Sequence, residues 1–102
     1  MTRMKVQVQS VNFKADQKLV DFIQKRMDKL DQFYDRIIDG EVYLKVDNNH
    51  TRENKIVEVR VNVPGNDLMV KKECTSFEEA TDLATDALRR QLDKHKAKVR
   101  GV

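Results

Sequence analysis

The residues with most to offer chemically are the bases that crowd the end of the chain. From Arg89 to Val102 there are six, Arg89, Arg90, Lys94, Lys96, Lys98 and Arg100, against the single acid Asp93, a net of +5. The stretch before them, Ser76 to Leu88, carries Glu78, Glu79, Asp82 and Asp86 and no base, a net of −4. Two chemistries fit this polarity. Acids early and bases late complement a helix dipole, at about 0.3–1 kcal/mol per charge. Clustered bases also bind anions, phosphate chains above all, by releasing condensed counterions. The dipole accounts for the order of signs but not for the density, since one or two late cations suffice. The helix alone leaves a solvated basic end and an anion-binding end both open.

A second set of bases lies at helical spacing earlier in the chain. Lys18, Lys25 and Lys29 share a narrow sector opposite Leu19, Ile23, Met27 and Leu30, with Arg26 beside them. Asp21, Asp28 and Gln32 interrupt that row, and Asp21–Lys25 has the i,i+4 spacing of an ordinary surface pair. On the later helix, Arg89, Lys96 and Arg100 align far from the apolar stripe, and Arg90 and Lys94 form a second row. Two such helices side by side carry cationic ridges about 10 Å apart. Ridges of that kind can follow the phosphates of double-stranded RNA, which is read largely through backbone and shape.

Other chemistries find little footing. There is no Gly-rich phosphate loop, no HExxH, no GxSxG and no Cys/His pair, and the carboxylates are spaced like surface charges, so no enzymatic reaction is expected. Cys74 is alone, and His50 and His95 are distant from each other, so neither a disulfide nor a metal cluster is expected, and no cofactor. Cys74, although near Lys71 and Lys72, fits a small core residue better than a reactive thiol. His95 fits a solvated or helix-packing role better than proton transfer. Lys5, Lys45, Arg60 and Lys71 project with Tyr43 from the other side of the strands, but one tyrosine does not make a base-stacking sheet. No stretch approaches the roughly 18 apolar residues of a membrane span, and no signal-like segment opens the chain. The expected setting is a reducing cytoplasm, with no membrane partner and no small-molecule substrate.

Positioning the bases requires a scaffold, and 102 residues suffice for one two-layer domain. Met4 to Gln9 alternates as a strand, with Met4, Val6 and Val8 on one face. Gln17 to Tyr34 has helical periodicity with Asp16 as N-cap, and Gly40 is expected in the turn that follows. Alternation returns at Glu41 to Asp47 and Lys55 to Val63, joined by the polar loop Asn48 to Asn54. Pro64-Gly65 suits the central positions of a type II turn. The next strand, Leu68 to about Cys74, puts Lys72 in its inward phase, which predicts a short or edge strand. Ser76 and Glu79 form a capping box, and Phe77, Ala80, Ala84, Ala87, Leu88 and Leu92 make the stripe of a final helix. The expected fold is α+β, in the order β-α-β-β-β-α, a four-stranded sheet with both helices on one face.

Two stretches also carry a resemblance. KLDQFYDRI at Lys29 to Ile37, followed by the Val-x-Leu-Lys-Val strand at Val42 to Val46, is similar to the ribosome hibernation-promoting factors. So are SFEEATDL at Ser76 to Leu83 and LRRQLDKHKAK at Leu88 to Lys98, and the likeness spans nearly the whole chain. The resemblance implies a fold like a double-stranded-RNA-binding domain and a partner in the small ribosomal subunit and its rRNA. It implies occlusion of the channel used by mRNA and tRNA, keeping ribosomes idle under stress. It carries RNA contact onto Lys25, Lys29, Arg89, Arg90, Lys94, Lys96 and Lys98. Ala87 stands where several members have Lys, one cation fewer. It further implies one ribosome-binding domain over residues 1–102 without the C-terminal dimerisation domain of longer members. The alternative left by the residues themselves is a general double-stranded-RNA-binding module not restricted to ribosomes.

Overall fold

In a computed structural model that describes residues 5–11, 13–47 and 54–99, the chain runs β1 (Lys5–Val11), α1 (Gln17–Phe33), β2 (Asp39–Val46), β3 (Lys55–Val63), β4 (Asn66–Cys74), α2 (Phe77–Val99). The sheet order is β1-β2-β3-β4. β1 lies parallel to β2, with α1 as the crossover between them, and the other two pairings are antiparallel. A parallel neighbour needs such a crossover, whereas antiparallel neighbours are joined by short turns.

The strand alternation predicted from sequence sets the two faces. Val42 and Leu44 of β2, Val57, Val59, Val61 and Val63 of β3, and Leu68, Val70 and Cys74 of β4 are buried on one side. Ile23, Met27 and Leu30 of α1 and Phe77, Ala80, Ala84, Leu88 and Leu92 of α2 cover that side, making one core. Val6 and Val8 extend it, half-buried, toward β1, whose predicted first residue Met4 lies outside the described residues. Each fully buried Leu or Val contributes about 1.5–3 kcal/mol of transfer free energy, which is what holds two charged helices against the sheet.

Two local predictions need correction and a third is sharpened. Gly40 is not in a turn. It is the second residue of β2, buried, with Val6 on one side and Val61 on the other. Two flanking strands recruit it because a residue without a side chain still supplies ladder hydrogen bonds. Tyr34 caps α1 instead of belonging to it: its backbone is extended, and its N–H donates to the Leu30 carbonyl at 2.9 Å. β4 is an edge strand as expected but not short, matching β3 at nine residues. Lys72 stays in its inward phase opposite Val57 and is half-buried, which a long aliphatic stem at a sheet edge allows.

The β3–β4 turn has two residues, Pro64 and Gly65, with Val63 facing Asn66 across it. Gly65 has φ of +81°, the positive value that the third position of a type II turn requires. At the start of α2, Ser76 Oγ accepts from the Glu79 N–H at 3.1 Å, as a capping box demands. The Glu79 carboxylate reaches back to the Thr75 hydroxyl at 3.2 Å.

Candidate nucleic-acid interface

α1 buries one stripe and presents the opposite one. Lys18, Lys25 and Lys29 are exposed on it, as the spacing predicts. The acids that interrupt this row are engaged along the helix: Gln17 donates to Asp21 at 2.9 Å and Gln24 to Asp28 at 2.9 Å. Asp21 thus takes Gln17 as its i,i+4 partner, not Lys25. Among the described residues no acid pairs with Lys25 or Lys29.

Contacts at three levels tie α1 and the residues just before it to α2, in order. Phe13, ahead of α1, stacks on Phe77 at 5.1 Å between centroids. Arg26 meets Asp82 at 2.7 Å while lying 5.0 Å over the Phe22 ring. Phe33 lies within 5.0 Å of the Arg89 guanidinium and 4.5 Å of the Lys96 ammonium. Residue numbers rise together on both helices, so the helices run parallel and their negative dipole ends point the same way. No base lies in the last turn of α1. Lys96 supplies one from α2, donating to the Phe33 carbonyl at 3.4 Å.

The Arg89–Lys96 row lies off the apolar stripe, as the spacing predicts, but on the side facing α1, where Arg89 stays exposed and Lys96 is half-buried. At roughly 100° per residue, Lys96 is about 80° and Arg89 about 100° from the buried Leu88, near enough for a neighbouring helix to meet both. Arg90 and Lys94 are exposed on the outer side. Arg90 forms an i,i+4 ion pair with Asp86 at 2.6 Å, whereas among the described residues Lys94 has no acidic partner. The side chain of Lys98, all of Arg100 and His50 lie outside the described residues. Ala87 is partly buried against the core, off the cationic side.

Between the helices runs an open groove of about 710 Å³, walled by Arg26, Lys29 and Phe33 on one side and by Asp82, Asp86 and Arg89 on the other. Its α2 wall changes sign along its length, from Asp82 and Asp86 to Arg89, while its α1 wall carries Arg26 and Lys29. Phe33 was singled out in the sequence only as part of a motif. The signal that could have found it is its angle: about 120° from Met27, off the core stripe and toward the second helix.

The opposite surface of the sheet is different. Cross-strand register sets Lys5, Asp39, Asn62 and Asp67 in one row, Gln7, Glu41, Arg60 and Met69 in the next, then Gln9, Tyr43, Glu58 and Lys71. Lys45, Ile56 and Glu73 follow, so Lys5, Lys45, Arg60 and Lys71 stand among Asp39, Glu41, Glu58, Asp67 and Glu73, a net of −1. Tyr43 donates to Glu41 at 2.9 Å, and that bond, with the carboxylate's charge, raises the phenol pKa above its ordinary 10.0. A tyrosine tied to its own strand is a surface aromatic and no stacking platform.

The remaining candidates fall into the packing. Cys74 is buried in the core. His95 meets the Tyr34 ring edge-on at 5.7 Å, with its Nε2 buried and unpartnered among the described residues. No three His, Cys, Asp or Glu residues group around a possible metal position among the described residues, and no described helix is long and apolar enough to cross a membrane.

A four-stranded sheet with two parallel helices on one face, several exposed cations among them, defines a small α+β protein with a partly basic helical surface. Residues 6–100 match the family described as Sigma 54 modulation protein / S30EA ribosomal protein, and the chain belongs to that family. It is 31% identical over 98 residues to a ribosome hibernation promotion factor of Bacillus subtilis, covering 94% of this chain and 50% of that protein. It is also 31% identical over 98 residues to the ribosome hibernation promoting factor of Escherichia coli, covering 95% of this chain and 98% of that one. The chain therefore spans about half the length of its Bacillus subtilis and Deinococcus radiodurans relatives. A ribosomal subunit interface protein from Coxiella burnetii superposes with a TM-score of 0.82 at 22% identity, covering 92% of this chain and 99% of that one, a likeness of fold.

Proposed function

We propose that this protein is a ribosome hibernation factor. It binds the small ribosomal subunit in the channel for mRNA and tRNA, in the cytoplasm, and keeps ribosomes idle by steric occlusion without catalysing a reaction. Lys25, Lys29, Arg89, Arg90, Lys94 and Lys96, with Lys98 beyond them, are the residues we assign to rRNA contact. The family and the names of its relatives support the ribosome as partner. The observation that carries the choice of surface is the contrast in compensation. Lys25, Lys29 and Lys94 stand exposed without acidic partners among the described residues, at the outer side of two parallel helices, while on the sheet Arg60 pairs with Asp67 and Lys71 faces Glu58 in register. Uncompensated cations release more counterion from a phosphate chain than cations already paired.

Sedimentation tests the reading. The full chain should comigrate with small subunits or whole ribosomes at moderate salt and dissociate as salt rises. Protein that stays at the top of the gradient at every salt concentration would overturn it. Competition separates the general duplex-RNA alternative, because a ribosome-directed factor is not displaced by an equal mass of long duplex RNA.

A further inference from the structure

Phe33 is the last residue of α1, and its ring points at the neighbouring helix, half-buried beside the core. Arg89 and Lys96 of α2 are seven residues apart, two helical turns or about 10.5 Å of axial rise. Their charged heads nevertheless converge on one ring, at 5.0 Å for Arg89 and 4.5 Å for Lys96. Lys96 is held a second time, by its hydrogen bond to the Phe33 carbonyl. Long cationic side chains on a free surface sample many rotamers, and fixing them on binding costs entropy. Two like charges drawn toward one ring also repel each other, and the negative face of the aromatic offsets that repulsion.

We propose that Phe33 is a positioning residue for RNA binding: its ring holds Arg89 and Lys96 in place before RNA arrives, so that two cations meet phosphate already ordered. The inference rests on the reading above that this helical end contacts rRNA. It assigns Phe33 no contact of its own with RNA. Preorganisation of this kind raises affinity by lowering the ordering cost, without adding a phosphate contact.

The test compares the full chain with Phe33→Leu, which keeps an apolar side chain, and Phe33→Tyr, which keeps the ring. Binding to purified small ribosomal subunits should weaken about five- to thirtyfold for Phe33→Leu, from two contacts of the strength of exposed cation–π pairs. The salt dependence should fall by less than one phosphate contact, and Phe33→Tyr should bind as the parent does. In a background of Arg89→Ala with Lys96→Ala, Phe33→Leu should add no further loss, because nothing remains for the ring to hold. Parent-like binding by a folded Phe33→Leu chain, or an equal loss in the background lacking both cations, overturns the proposal. A readout independent of ribosomes completes it. The Arg89 δ and Lys96 ε methylene protons should be shifted upfield by the ring current, and Phe33→Leu should return them to random-coil positions. Unshifted protons in the parent overturn the ring's hold even if ribosome binding is intact. Shifted protons in a parent chain that fails to bind small subunits instead overturn the functional reading, and the role proposed for Phe33 with it.

Discussion

On the open face of the sheet, Arg60 reaches Asp67 at 3.2 Å, and Lys45 and Lys71 stand in rows shared with Glu73 and Glu58. On the outer side of the helix pair, Lys25, Lys29 and Lys94 project without acidic partners among the described residues. The difference is one of arrangement more than of number. Cross-strand neighbours sit about 5 Å apart, so alternating signs in a sheet row compensate one another locally. A helix separates like charges by a turn and points them outward, where only a neighbouring helix or a ligand can answer them. The helix pair itself repeats the contrast in miniature. Toward the start of α2 its acids are used, by Arg26 at 2.7 Å and by Arg90 at 2.6 Å. Toward the end, two cations turn to the Phe33 ring, and one of them, Lys96, also caps α1.

Both surfaces depend on the layer between them, and the largest effect should come from breaking it. Leu88 is fully buried where α2 meets the sheet. Leu88→Ala should cost about 2–5 kcal/mol of unfolding free energy, read by urea denaturation. A loss below 1 kcal/mol would mean that α2 is less firmly docked than its burial implies.

The next effect separates the two surfaces directly. Lys29→Glu with Arg89→Glu should weaken binding to small subunits strongly. It should also flatten the plot of log affinity against log salt by roughly 0.7–0.9 per lost phosphate contact, close to two contacts in all. The same number of reversals on the sheet, Lys45→Glu with Lys71→Glu, should leave that slope unchanged. Equal slopes for the two double variants would erase the distinction on which the assignment of the surface rests.

Much of this contrast was legible in the sequence, and the exceptions share a cause. Period-two alternation in β2 and β3 and the apolar stripes of α1 and α2 each bury a face on their own, so they could be read one segment at a time. The exposed positions of Lys25, Lys29, Arg90 and Lys94 followed from the same periodicity. What could not be read were the terms set by a neighbour. Gly40 looks like a turn residue until strands flank it on both sides. Lys96 looks solvated until the parallel course of α1 brings the Phe33 carbonyl beside it. Arg26 looks like one more cation in a row, yet it is the bridge to Asp82. Helical angle places a side chain on its own helix, but not the helix that lies next to it.

A smaller effect probes that bridge. Asp82→Asn removes the partner of Arg26 at a site where both side chains keep substantial solvent exposure, 34% and 47%. Stability should fall by only about 0.2–1 kcal/mol by thermal or chemical unfolding, as for other exposed pairs. Arg26, released in the groove between the helices, should make ribosome binding slightly tighter and its salt dependence slightly steeper. Weaker binding would show that the acidic end of the groove orients the basic end, making the two ends a single unit.

The smallest effect belongs to the sheet face and is invisible at neutral pH. Tyr43 holds its proton beyond the ordinary value of 10.0 because its hydroxyl donates to Glu41 and the carboxylate's charge opposes a phenolate beside it. The folded state therefore binds more protons than the unfolded state between 10.0 and the raised value. The corresponding stability is intact below pH about 10 and is lost as pH rises through the raised pKa. Glu41→Gln should bring the phenol back toward 10.0, measured by phenolate absorbance in a Tyr34→Phe background so that one tyrosine titrates. Binding to small subunits should not change, since neither residue lies on the helical side. A Tyr43 titration indifferent to Glu41 would mean that the sheet's charges are less tightly coupled than their rows suggest. A change in ribosome binding would bring the open face into the interface, and the contrast between the two surfaces would fail at the point where it is easiest to measure.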